Sequence, residues 1–129
     1  MRIIYPVRKE GDVMALTADL LRGHTETIIL SHLRNGASYG YQINKSISEK
    51  CGSAFELKEA TLYTAFRRLE ADGMIRSWWG DEDTGARRRY YRLTPLGEAR
   101  LREDLAGWDE TKRLIDQLLD LEPVPAENE

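Results

Sequence analysis

The stretch "TLYTAFRRLEADGMI", residues 61–75, changes its periodicity partway along. Leu62, Phe66 and Leu69 recur at steps of four and three, the spacing of one helical face. Gly73 is suited to ending a helix, and the next residues open "MIRSWWG", an aromatic-rich run that reads at strand spacing. The helix is predicted to begin near Glu59, because an acidic residue in the first turn opposes the positive end of the helix dipole. The face opposite the apolar stripe presents Thr61, Tyr63, Thr64, Arg67 and Arg68. A merely solvated face would carry more Glu and Lys; hydroxyls, a phenol and two guanidiniums donate hydrogen bonds to phosphates and base edges.

Downstream, "ARRRYYRLT" is a second strand-like run, separated from the first by "DEDTG", an acidic loop with a glycine, so residues 74–94 predict a β-hairpin. Alternation puts Arg87, Arg89, Tyr91 and Leu93 on one side and Arg88, Tyr90 and Arg92 on the other. Tyr91 and Leu93, at the root, are expected to meet the core, with Tyr90 covering the outer side and Trp78 and Trp79 serving as packing residues. The structural reading of the arginines is that Arg87, Arg88 and Arg89 pair with Asp81, Glu82 and Asp83 across the hairpin, each contact worth at most about 1 kcal/mol. The functional reading is that they exchange those partners for phosphate.

Upstream, two more helices are expected. Thr25 offers a cap, Glu26 a first-turn acid, and Ile29, Leu30 and Leu33 a buried stripe that ends at Asn35-Gly36. Ser38 offers a second cap, with Ile43, Ile47 and Cys51 on one face before Gly52. Cys51 is read as a small core residue, and "AFEL", with Phe55 and Leu57 alternating, as a short strand. His24 and His32 are read as exposed helix histidines. Three helices followed by a hairpin is the order of a winged helix-turn-helix, in which the third helix enters the DNA major groove and the wing follows the backbone. The fold class expected is mainly α (α+β), with a two-stranded wing and a long C-terminal dimerisation helix.

That last helix starts with a strong signal, Thr94-Pro95, and is expected to run to about Leu121, before Pro123 and Pro125. Gly97 and Gly107 should weaken it by up to about 1 kcal/mol each. Leu101, Leu105, Trp108, Ile115 and Leu119 follow steps of 4, 3, 7 and 4, a coiled-coil seam interrupted at Lys112. Leu114, Leu118 and Leu121 form an adjoining stripe, and two stripes on one terminal helix exceed what a small domain needs, which suggests an identical partner chain. The seam residues and Lys112 are the candidates for the dimer and ligand pocket.

The chain has 129 residues and a formal net charge of -3, with 32% charged and 41% apolar residues, a balance suited to one globular domain. The charge is uneven: residues 1–92 hold 15 Lys+Arg against 12 Asp+Glu, and residues 93–129 hold 4 against 10. A local positive surface suffices for gripping phosphate, since fields beyond about 10 Å are screened. One cysteine excludes an internal disulfide, and no thiolate cage, nucleophile beside a base or glycine-rich phosphate loop is present, so neither an enzyme nor a cofactor is expected. No eighteen-residue apolar run and no secretory pattern around Arg8, Lys9 and Glu10 point to the cytoplasm. The expected division is an N-terminal arm, partly disordered, over residues 1–18, a DNA-binding domain over 19–94, a dimerisation helix over 95–121 and a disordered acidic tail over 122–129.

Three blocks, "LRGHTETIILSHLRNGASYGYQI", "TLYTAFRRLEADGMI" and "RRRYYRLTPLGEARL", resemble the successive signatures of the PadR family of bacterial transcriptional regulators. The resemblance spans roughly residues 20–119 in the right order. It implies a homodimeric winged-helix repressor of the smaller, single-C-terminal-helix branch, whose recognition helix and wing touch an inverted-repeat operator. It also implies that a planar apolar or phenolic effector sits between the C-terminal helices, with Trp108 as the stacking aromatic. The candidate DNA contacts are Tyr39, Thr61, Tyr63, Thr64, Arg67, Arg68, Arg87, Arg88 and Arg89. Two departures stand out: Thr64 occupies a position where the family commonly has proline, and the wing loop carries Asp81, Glu82 and Asp83, which phosphate would repel. The competing reading is a winged-helix module that binds protein, with no sequence-specific DNA site.

Overall fold

The computed structural model describes residues 17–81 and 87–121. Helix α1 is described over residues 17–22, followed by α2 (Thr25–His32), β1 (Ser38–Tyr39), α3 (Gly40–Lys50), α4 (Glu59–Ala71), β2 (Ile75–Trp79), β3 (Arg89–Leu93) and α5 (Pro95–Leu118). The three strands form one antiparallel sheet in the order β1-β3-β2. Ala18 and Leu21 pack against the core, so part of the segment expected to be an arm is helical and docked.

The three expected apolar stripes converge in a single core. Ile29, Leu30 and Leu33 from α2, Ile43 and Ile47 from α3, and Leu62, Phe66 and Leu69 from α4 are all buried. Phe66 and Tyr91 stack with ring centroids 3.9 Å apart, which seats the root of the wing on the third helix of the domain. Tyr91 and Leu93 therefore lie where strand alternation put them, with Leu93 half-buried.

Several local expectations were displaced by tertiary contacts. Thr25 does not cap α2: the N-cap is His24, and the Thr25 hydroxyl donates instead to the Arg22 carbonyl at 2.7 Å. Ser38 is not a cap either, because it pairs with Tyr91 in β1, a strand too short to show in the sequence. Cys51 is exposed rather than in the core; its thiol donates to the Ile47 and Phe55 carbonyls. "AFEL" buries Phe55 and Leu57 without forming a strand, since the Asn44 side chain bonds both the N–H and the C=O of Leu57. His24 is exposed as expected, while His32 is half-buried with Nδ1–H donating to the Ile28 carbonyl at 2.8 Å.

The passage from helix to wing is a Schellman ending. Met74 N–H donates to the Leu69 carbonyl and Gly73 N–H to the Glu70 carbonyl, with Gly73 at φ 77°, a conformation that costs glycine nothing. The start of α5 is fastened to this same turn. Thr94 Oγ1 accepts from Gly97 N–H at 3.0 Å and donates to the Gly73 carbonyl at 2.6 Å. Gly97 crosses Met74 so closely that a Cβ there would lie 2.0 Å from the Met74 carbonyl oxygen. Its helix-weakening effect is thus the lesser part of its role: only a glycine lets α5 begin against the end of α4.

Candidate nucleic-acid interface

Helix α4 turns Leu62, Ala65, Phe66 and Leu69 inward, which leaves Thr64 and Arg67 on its outermost ridge. Arg67 Nη2 donates to Thr64 Oγ1 at 3.2 Å, an exposed contact that aligns the guanidinium along the ridge. The threonine that stands where a proline is common in the family therefore holds an arginine.

The other predicted residues of α4 divide between two grooves. On one flank Thr61 and Arg68 line a groove of about 520 Å³ whose far wall is Arg22, Thr25, Glu26 and Arg100. On the other, Tyr63 and Arg67 line a groove of about 580 Å³ facing the wing residues Trp79, Arg87 and Arg89. Tyr63 is half-buried, its ring 5.6 Å from that of Phe66 and its hydroxyl 3.0 Å from where a Cβ on Gly40 would be. It is as much a packing residue between α3 and α4 as a candidate contact.

The wing arginines are arranged by aromatic rings. The guanidiniums of Arg87 and Arg89 lie 5.7 Å and 5.3 Å from the Trp79 ring centroid, and that of Arg88 lies 4.8 Å from the Tyr39 ring. Such contacts hold a cation in place without neutralising it. Trp79 is 52% exposed and Trp78 is exposed as well, so both pack within the hairpin and not in the domain core. Trp78 stacks on Tyr90, whose ring also meets Tyr39 edge-on. Arg89 reaches toward α4: it donates to Ser77 Oγ at 2.7 Å and lies 3.9 Å from Glu70. Of the three acids expected to pair with the arginines, Glu82 and Asp83 lie outside the described residues.

Along the first groove a polar network joins three helices. Glu26 Oε2 accepts from Arg68 Nη1 at 3.1 Å and Oε1 from Arg100 Nη2 at 3.2 Å, while Arg100 Nε lies 3.1 Å from both Asp104 oxygens. Thr27 Oγ1 donates to Asp104 at 2.8 Å. Burial pulls the Arg100 guanidinium pKa down, but the hydrogen bonds and charges of Asp104 and Glu26 outweigh it and hold the value above the ordinary one. Glu26, Arg100 and Asp104 were absent from the expected site. Each is an ordinary helix-surface residue in the sequence, and nothing in their spacing brings α2 and α5 together.

The seam on α5 separates into two parts. Leu101 is buried in the domain's own core, which corrects its assignment to the dimer and ligand pocket. Leu105, Trp108, Ile115 and Leu119 are exposed, together with Leu114 and Leu118 of the adjoining stripe. Trp108 is 44% exposed, with His24 edge-on at 5.0 Å. Lys112 points to Asp109, one turn back, at 3.6 Å. The helix ends at Leu118, three residues short of the expected Leu121.

A helical triad with its third member turned outward, followed by an antiparallel wing, defines the class: a winged helix-turn-helix protein. Residues 29–103 match the model of the transcriptional regulator PadR-like family. The chain belongs to that family of transcriptional regulators. It is 35% identical over 87 residues to the transcriptional regulator Rv3488 of Mycobacterium tuberculosis, covering 67% of this chain and 78% of that one. Among solved structures, a transcriptional regulator from Clostridium thermocellum is 45% identical with a TM-score of 0.71, covering 78% of this chain and 94% of that one. A PadR family transcriptional regulator from Eggerthella lenta is 32% identical with a TM-score of 0.76, covering 88% and 96%. No helix among the described residues is long and apolar enough to cross a membrane.

Proposed function

We propose that the chain is a cytoplasmic, homodimeric repressor that reads an inverted-repeat operator through α4 and the wing, and that a planar apolar or phenolic guest between paired α5 helices releases it. The observation that carries this reading is the ridge of Thr64 and Arg67 with a groove on either flank, one containing Arg22 and Arg68, the other Arg87 and Arg89. A helix laid in the major groove has a phosphate backbone on each side, and cationic donors on both flanks match that geometry. Tyr39 and Thr61 complete the contact set, Tyr39 by seating Arg88. The exposed apolar residues of α5 support dimerisation, because a helix with this much uncovered leucine, isoleucine and tryptophan needs another surface. Two copies joined there would carry recognition helices to successive major grooves, about 34 Å apart, and a guest that changed the angle between them would spoil the spacing.

The test is binding to duplex DNA from the gene's own upstream region at low and at moderate salt. Affinity should fall steeply as salt rises, and Arg88→Ala should reduce the salt slope by about one unit. Arg67→Ala should weaken binding by about 1 to 3 kcal/mol at that sequence. The competing protein-binding reading draws on the exposed Trp78 beside Arg76 and Arg92. It predicts no salt-dependent binding of the duplex at all.

A further inference from the structure

Helix α5 and the candidate recognition helix α4 both reach Glu26, each through a different carboxylate oxygen. Glu26 is in the first turn of α2 and its side chain is only 20% exposed, at the base of the groove lined by Thr61, Thr64 and Arg68. Arg68 is 64% exposed and spends one nitrogen, Nη1, on Glu26. A guanidinium carries five N–H donors in a planar fork, so an arginine held at one edge still presents donors to a phosphate.

The charge balance under this groove depends on α5. Glu26 and Asp104 carry two negative charges, and Arg68 and Arg100 two positive ones, all within one hydrogen-bonded chain. With Arg100 in place the four cancel, and Glu26 shares its charge between two arginines. Without it the hydrogen-bonded chain is left with one net negative charge, Glu26 is opposed by Arg68 alone, and an incoming phosphate meets a less positive groove, in which Arg22 and Arg68 are the remaining cations. Arg100 is in the far wall of the groove, 30% exposed, bracketed by Glu26 and Asp104.

We infer that Glu26 and Arg100 are positioning residues that set how far Arg68 is available to a DNA phosphate, so that displacement of α5 is felt at the recognition helix through this chain of charges. The inference rests on the DNA-binding reading above and deepens it. It makes the link between the dimer helix and the DNA face electrostatic, and places it within one subunit. A tilt of α5 that lengthens the Arg100 to Glu26 contact leaves Glu26 to hold Arg68 alone, and affinity drops without any change in the spacing of the two recognition helices.

The experiment compares the full-length wild type with Arg100→Gln, Glu26→Gln and the double variant, using duplex DNA from the gene's own upstream region at two salt concentrations. Thermal unfolding and sedimentation of each variant are recorded alongside. Arg100→Gln should weaken binding roughly fivefold to tenfold, the size of coupling seen within one charge network. Glu26→Gln should bind as well as the wild type or more tightly. The double variant should return to within about twofold of the wild type, because removing the uncompensated carboxylate cures the loss of its partner. A purely structural role for Arg100 predicts a double variant no better than Arg100→Gln, and that result overturns the inference while leaving the DNA-binding reading intact. If Arg100→Gln fails to fold, Glu26→Gln alone decides: weaker binding than the wild type would mean Glu26 serves only to brace Arg68. Wild type that binds no duplex removes both readings together.

Discussion

Helices α4 and α5 are both amphipathic, and they use their apolar residues in opposite ways. In α4 the whole stripe of Leu62, Ala65, Phe66 and Leu69 is inside the domain, and the outer surface is left to hydroxyls and guanidiniums. In α5 only Leu101 reaches the core, and Leu105, Trp108, Ile115, Leu118 and Leu119 remain on the surface, Leu118 at 80% exposure. The difference teaches that α4 is held within its own subunit, whereas the distal half of α5 has a surface whose burial needs something further. The fastening of the first turn of α5 to the end of α4, at Thr94, Gly73 and Gly97, is what lets a helix with so little core of its own keep a defined direction.

The sharpest way to break the comparison is at its buried end. Phe66→Ala removes a ring that is 1% exposed and stacked on Tyr91, and should destabilise the fold by about 3 to 5 kcal/mol in denaturant unfolding. A loss below about 1 kcal/mol would show that α4 is not the centre of the core. The fastening should be nearly as sensitive. Gly97→Ala places a methyl against the Met74 carbonyl and should cost about 1 to 3 kcal/mol, although alanine is the better helix former; a stabilised variant would contradict the close crossing.

At the other end of the contrast, truncation before Trp108 should leave the winged domain folded by circular dichroism but monomeric in sedimentation, with greatly reduced affinity for a palindrome. A truncated chain that still sediments as a dimer would move the interface off α5.

The smallest expected effect is a pH dependence seated in α2. Burial lowers the pKa of His32, an effect that its bond to the Ile28 carbonyl partly offsets and that Lys50 and Arg34 reinforce. Its Nε2 is buried with no hydrogen-bond partner among the described residues, so protonation would strand an N–H there. A cationic group whose folded pKa is depressed binds fewer protons folded than unfolded. Its contribution is therefore fully present above the unfolded value of about 6.5 and is lost as pH falls through the folded one. The unfolding midpoint should drop modestly below about pH 6.5, and His32→Gln should flatten that slope. Equal slopes in the two proteins would remove His32 from the account.

Much of the fold was legible because its signals are local. The steps of four and three in "TLYTAFRRL" and the Thr94-Pro95 start each follow from the backbone geometry of one element. Gly73 as a stop was legible for the same reason, since the left-handed conformation at a helix end selects glycine wherever the helix sits. The caps at Thr25 and Ser38 failed because each hydroxyl had a competing use. Thr25 answers the carbonyl at the end of α1, and Ser38 lies in a strand created by β3. The aromatic and acidic neighbours of the wing arginines were not legible for a related reason: Tyr39 and Glu70 are near them in space but distant along the chain.

The sequence by itself determined which residues turn inward on α4 and which outward, because helical period and side-chain chemistry are properties of a single segment. It also determined the family, through three blocks in order. Only the tertiary structure decided that Leu101 belongs to the core while Leu105 does not, that Gly97 is required by a crossing backbone, and that Glu26 joins Arg68 to Arg100. Those outcomes depend on where α5 lies across α2 and α4, and a contact between segments some 40 to 75 residues apart leaves no period for a single sequence to display.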